Sequence, residues 1–121
     1  MDHTAIDKGI AAHARWKARL NNAIDTGRMD VPVATVRVDN QCEFGKWLYG
    51  GEIPAEQKRA EHYATVRELH GRFHQAAARV VELAEAGKAG DARAEMASSG
   101  EFAVVSSKLT LAMSAWKKSL T

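Results

Sequence analysis

The sequence predicts an all-α fold, an antiparallel four-helix bundle with a short extra helix that carries the only cysteine, Cys42. Three observations point there. Apolar residues recur at three- and four-residue steps over three long segments. Alanine, lysine, glutamate and leucine, all good helix formers, dominate those segments. Only 2 prolines interrupt 121 residues. A chain of that length buries a core as one domain, 1–121, without covalent staples.

The elements follow in order. Ile6, Ile10, His13, Trp16, Leu20 and Ile24 form one stripe over about six turns, and Thr26-Gly27 ends it, glycine taking a left-handed cap. "RMDVPVATVRVDN" holds Pro32 and many β-branched residues and reads as an extended crossover. Asp39 or Asn40 then caps a short helix over Cys42 to Tyr49, which Gly50-Gly51 stops. Pro54 starts a long helix near residue 54 or 55, with Tyr63, Val66, Leu69, Phe73, Ala77, Val80 and Ala84 along its stripe. Asp91 caps the last helix, whose stripe runs through Ala92, Met96, Phe102, Val105, Leu109, Ala112, Trp116 and Leu120. Ser98-Ser99-Gly100 inside it predicts a kink or a break.

Composition excludes several functions. The net charge is +2, with both signs interspersed. Nucleic-acid binding needs a clustered basic face, and Lys117-Lys118 is too small to be one. No run approaches the ~20 apolar residues of a membrane span. Asp2 and Asp7 stand where a signal peptide is positive, and no apolar core follows. With one cysteine, the expected compartment is a reducing cytoplasm.

The histidines give the chemistry. His70 and His74 are four apart in "HGRFH", so both imidazoles leave one helical face about a turn apart and can grip one ion. They border the core through Leu69 and Phe73. His13 occupies a stripe position between Ile10 and Trp16. Cys42 lies in the first turn of the short helix, where the dipole favours a thiolate. Three inward histidines and one thiolate make a closed tetrahedral set that suits Zn²⁺ and leaves a core of net charge +1. Carboxylates or carbonyls are expected on the second ring nitrogens. The bland alternatives are a surface histidine pair, a packed His13 and a cysteine that is only a small core residue. His3 reads as a solvated terminal residue. His62, two turns before His70, reads as a surface or interface histidine, with an outer metal contact as the alternative.

"HARWKARL", "CEFGKWLYG" and "LHGRFH", in this order and spacing, resemble the chemoreceptor zinc-binding (CZB) domain family over about Ile6 to Leu120. The C-x-F-G-x-W element carries the specificity. The resemblance implies zinc at His13, Cys42, His70 and His74, the four residues already chosen by position. Trp16, Phe44, Trp47 and Phe73 are then expected to shield the site, and Gly45 to let the short helix approach a neighbouring helix closely.

Function is narrowed the same way. Zincin peptidases need a glutamate after the first histidine, and here Gly71 stands there. Four protein ligands leave no place for a catalytic water, so no enzyme is expected. A di-iron bundle needs more histidines and bridging carboxylates than this chain places inward. What remains is regulation, or a zinc-stabilised dimerisation or interaction module with no sensing role. CZB domains, by the resemblance, are regulatory modules of bacterial chemoreceptors and diguanylate cyclases that also occur alone. They commonly form homodimers, and they sense zinc and, through the zinc-bound cysteine, hypochlorous acid. Here Cys42 is the expected redox-reactive ligand, Gly50-Gly51 a hinge, and Val104 and Leu111 candidates for a dimer face. Met1 favours a free-standing protein over a segment of a longer receptor.

Overall fold

The computed structural model describes residues 3–120; Met1, Asp2 and Thr121 lie outside them. The described chain is an all-α bundle of seven helical segments, with no strand among those residues. In order they are α1 (Thr4–Thr26), α2 (Val33–Arg37), α3 (Glu43–Tyr49), α4 (Ala55–Lys58), α5 (Glu61–Glu85), α6 (Ala89–Met96) and α7 (Glu101–Ser119). Among the described residues, no helix is long and apolar enough to cross a membrane.

The long helices pack as their stripes direct. α1 buries Ile6, His13, Trp16, Leu20 and Ile24, and Gly27 ends it with φ 79° and its N–H on the Ala23 carbonyl at 2.8 Å. α7 runs antiparallel to α5, since Phe102 meets Phe73 (5.1 Å between ring centres) while Trp116 meets Tyr63 (6.0 Å). It runs against α1 too, with Lys117 on Asp7 at 2.7 Å. The crossover returns the chain to its starting end, so α5 follows the direction of α1. His13 lies 4.9 Å from His70, ring to ring, and the Met29 N–H reaches Glu85 at 3.2 Å.

Four local expectations are refined. The crossover contains α2, although Val33, Thr35 and Val36 are β-branched. No neighbouring strand offers hydrogen bonds there, so the segment satisfies its own backbone as a turn of helix on Pro32 and buries Val36 against α5. The helix expected from Pro54 stops at Lys58, and α5 starts afresh at Glu61 after an extended Ala60. Two bonds turn the chain at that break: Lys58 Nζ donates to the Gly50 carbonyl at 2.8 Å, and Tyr63 donates to that of Leu48 at 2.9 Å. The break at Ser98-Ser99-Gly100 separates α6 from α7, and α6 begins at Ala89, with Asp91 in its first turn rather than at its cap. His3 is not simply solvated: its Nδ1 meets the Asp7 carboxylate at 2.9 Å.

Cys42 is itself the N-cap of α3, where Asp39 or Asn40 is expected; the Gly45 N–H donates to its sulfur at 3.3 Å. The close approach at Gly45 is also local. A β-carbon there collides with the Asp39 backbone carbonyl rather than with a neighbouring helix. Gly45 therefore lets residues 39–42 fold back onto α3. We predict that Gly45→Ala costs about 2 kcal/mol or more, because the obstacle is rigid backbone. Gly51→Ala, with open space around it, stays within about 0.5 kcal/mol. Urea midpoints of the two variants check this; equal effects would contradict it.

Candidate metal centre

Each member of the cluster is held by a different piece of the fold. Two stripe positions of α5 aim His70 and His74 inward, one stripe position of α1 supplies His13, and the cap of α3 supplies Cys42. One donor atom from each of these four lies within 4.8 Å of every other. Cys42 Sγ stands 3.4 Å from His70 Nε2 and 3.6 Å from His74 Nε2, and the two Nε2 atoms are 3.2 Å apart. A tetrahedron with zinc bond lengths has edges of about 3.3 Å between nitrogens and about 3.6 Å between sulfur and nitrogen. The three measured edges match.

The second fit is chemical. The three histidines are buried, at 4%, 0% and 1% exposure for His13, His70 and His74. Nδ1 of His70 has no hydrogen-bond partner, and neither ring nitrogen of His13 reaches one in good geometry, the Gly9 carbonyl being only a weak influence on that ring. Buried polar atoms without partners are costly, and a metal ion at the centre of the cluster removes part of that cost. His74 is better placed: its Nδ1–H donates to the Val36 carbonyl at 3.0 Å, which fixes the tautomer and turns the Nε2 lone pair on the cluster. The expected outer partner is thus present for His74, supplied by α2, and absent for His70.

Burial holds the imidazoles neutral. It lowers His70 to about 2, helped by the charges of His74 and His13. It lowers His13 to about 4, with His74 adding to it and the Gly9 carbonyl opposing. For His74 burial also wins, against the Val36 carbonyl and Asp39. Cys42 departs from the sequence expectation. Burial pushes its thiol up, and the backbone N–H groups at the helix start oppose this without overcoming it. The helix dipole alone does not make a thiolate here.

Aromatic rings close the site. Phe44 stands 5.5 Å from His13 and 5.2 Å from His70; Phe73 is 4.9 Å from His13; Trp16 is 5.7 Å from His74, ring centre to ring centre. Trp47 stands one ring back, packed on Phe44 and Trp116 at 5.6 Å each. On the α1–α2 side lies an open cleft of about 280 Å³, lined by Arg15, Trp16, Val36, the half-buried Cys42 and His74 among others. His62 is exposed on α5, away from the cluster. Sequence reasoning missed two contributors, the Val36 carbonyl and Asp39. A backbone acceptor leaves no residue signature, and Asp39 was legible only as a helix-cap candidate.

The neutral histidines generate a prediction for the metal-free protein. Their folded pKa values lie below the unfolded value of about 6.5, so below that pH the unfolded chain binds more protons. Their stabilising contribution is complete above pH ~6.5 and is lost on acidification, by up to roughly 1.4 kcal/mol per pH unit and histidine. Urea unfolding of chelator-treated protein is expected to show a loss of about 1 kcal/mol or more between pH 7 and pH 5. An unchanged midpoint would contradict the burial of neutral imidazoles.

No curated protein and no solved structure matches the chain. The profile of the chemoreceptor zinc-binding domain matches residues 13–81, which span α1 from His13 through most of α5 and include all four members of the cluster. The match covers more than half of the chain, and the protein belongs to the chemoreceptor zinc-binding domain family.

Proposed function

We propose that the protein is a cytoplasmic regulatory zinc domain in which His13, Cys42, His70 and His74 hold one Zn²⁺ and Cys42 is the redox-reactive ligand. One observation carries this reading. The Cys42 sulfur faces both Nε2 atoms of the α5 pair at ligand-edge distances, and Cys42 also lines the solvent cleft. When bound, the ion supplies Lewis acidity that keeps the sulfur ionised at neutral pH.

The chain's own residues do the rest. His74, oriented by Val36, and His70 present neutral lone pairs without releasing protons. Phe44, Phe73 and Trp16 exclude water from three sides. Through the cleft a small oxidant such as hypochlorous acid reaches Cys42. The thiolate sulfur loses two electrons and takes the oxygen, chlorine leaves as chloride, and the products are a sulfenic acid and Cl⁻. A sulfenic acid is a poorer ligand, so residues 38–49 lose the metal-mediated part of their tie to α5, and the Tyr63–Leu48 hydrogen bond remains. Movement of that segment, bounded by Val38 and Gly50, is the signal passed to a chemoreceptor or diguanylate cyclase partner. A homodimer fits this role, with Leu111, 70% exposed on α7, as the exposed apolar residue available for it.

The second reading, a structural zinc in a dimerisation module, is favoured by the orphaned nitrogens of His13 and His70. Chelation separates the two. A sensor keeps its helical circular dichroism as zinc leaves, because α1, α5 and α7 share an extensive apolar core, whereas a structural site unfolds.

Two predictions follow from the ligand chemistry. At pH 7, zinc binding is expected to release about one proton per ion, from Cys42, and affinity rises about tenfold per pH unit. Calorimetry in buffers of different ionisation enthalpy measures this; Cys42→Ser brings the release toward zero, and a wild-type value near zero means a preformed thiolate. Native mass spectrometry before and after near-stoichiometric hypochlorous acid tests the redox step. Loss of one zinc together with a gain of oxygen at Cys42 is expected. Zinc that survives while Cys42 oxidises contradicts the switch.

A further inference from the structure

Asp39 sits where three elements meet beside the cluster. Its backbone carbonyl lies over Gly45 of α3, so close that only glycine fits there. Its carboxylate accepts a 2.6 Å hydrogen bond from the Tyr49 hydroxyl at the other end of α3. The same Oδ2 lies against α5 at Gly71, 3.3 Å from where a β-carbon on that residue would stand. Gly71 is the neighbour of His70 in sequence, and Asp39 is three residues before Cys42. The residue is thus stapled to the helix bearing the cysteine and seated on the helix bearing the histidine pair.

We propose that Asp39, clasped by Tyr49, is a positioning residue of the zinc centre that fixes the Cys42 segment and supplies the negative charge offsetting the buried cation. This rests on the four-ligand reading above. One thiolate and three neutral imidazoles leave a divalent ion with a net charge of +1 in a dry site. A net charge there is costly unless an anion stands nearby. The Asp39 carboxylate lies against α5 at the residue next to His70, and its own segment leads into Cys42, so its charge stands beside the cluster. The glycine at 71, where a peptidase would carry its general base, leaves room for the carboxylate against α5.

Two variants separate charge from clasp. Asp39→Asn keeps the size and an oxygen that accepts from Tyr49, but it removes the charge. Tyr49→Phe keeps the charge and frees the carboxylate, at a residue 43% exposed and therefore safe for folding. Zinc dissociation constants come from chelator competition on the zinc-loaded full chain, and the Co²⁺-loaded proteins report on the sulfur through its charge-transfer band. Asp39→Asn is expected to weaken zinc roughly 10–100-fold and to shift that band, and Tyr49→Phe to weaken zinc roughly threefold or more. The urea midpoints of the metal-free variants should stay at the wild-type value. The proposal is overturned if Asp39→Asn binds zinc within twofold of wild type, or if the metal-free variants lose stability in step with affinity. A wild-type protein that takes up no zinc would instead overturn the four-ligand reading itself.

Discussion

Everything near the centre of this bundle follows from burying three imidazoles together and setting one half-buried thiol against them. Ring nitrogens with no partner, inside a shell of Phe44, Phe73 and Trp16, are an expensive arrangement for a core. Hydrophobic residues of the same size would pack there at no such cost. A metal ion in the middle would offset part of that cost. The 3.2–3.6 Å edges among sulfur and nitrogens fit such an ion.

Competing electrostatic effects decide the state of the cysteine. A helix N-terminus pulls a thiol toward thiolate, and burial pulls it back. Cys42 feels both, and burial prevails in the metal-free protein. The protonated thiol is therefore favoured in the metal-free protein, and a bound metal would favour the thiolate.

How much of this was legible in the sequence depends on range. The α5 histidine pair is a four-residue spacing, and the α1 stripe fixes the direction of His13; both are local patterns that survive folding unchanged. Thr26-Gly27 and Ser98-Ser99-Gly100 marked real helix ends for the same reason. What was not legible is nonlocal or backbone-borne. Pro32 to Val36 carry strand propensity but curl into α2 because Val36 has a place on α5 and its neighbours have no strand to pair with. The Val36 carbonyl that orients His74 is invisible to any reading of side chains. Gly45 was recognised as a close approach, yet what it approaches is the carbonyl of Asp39, six residues upstream. Trp47 looked like a wall of the site and is a support for Phe44 instead. The sequence thus names the donors, and the fold names what aims them.

The most direct test of the central claim is zinc K-edge X-ray absorption on the zinc-loaded protein. One sulfur at about 2.3 Å and three nitrogens at about 2.0–2.1 Å, with no further oxygen, is the predicted shell. A shell without sulfur, or with a water oxygen in place of a histidine, would contradict a closed centre built from His13, Cys42, His70 and His74.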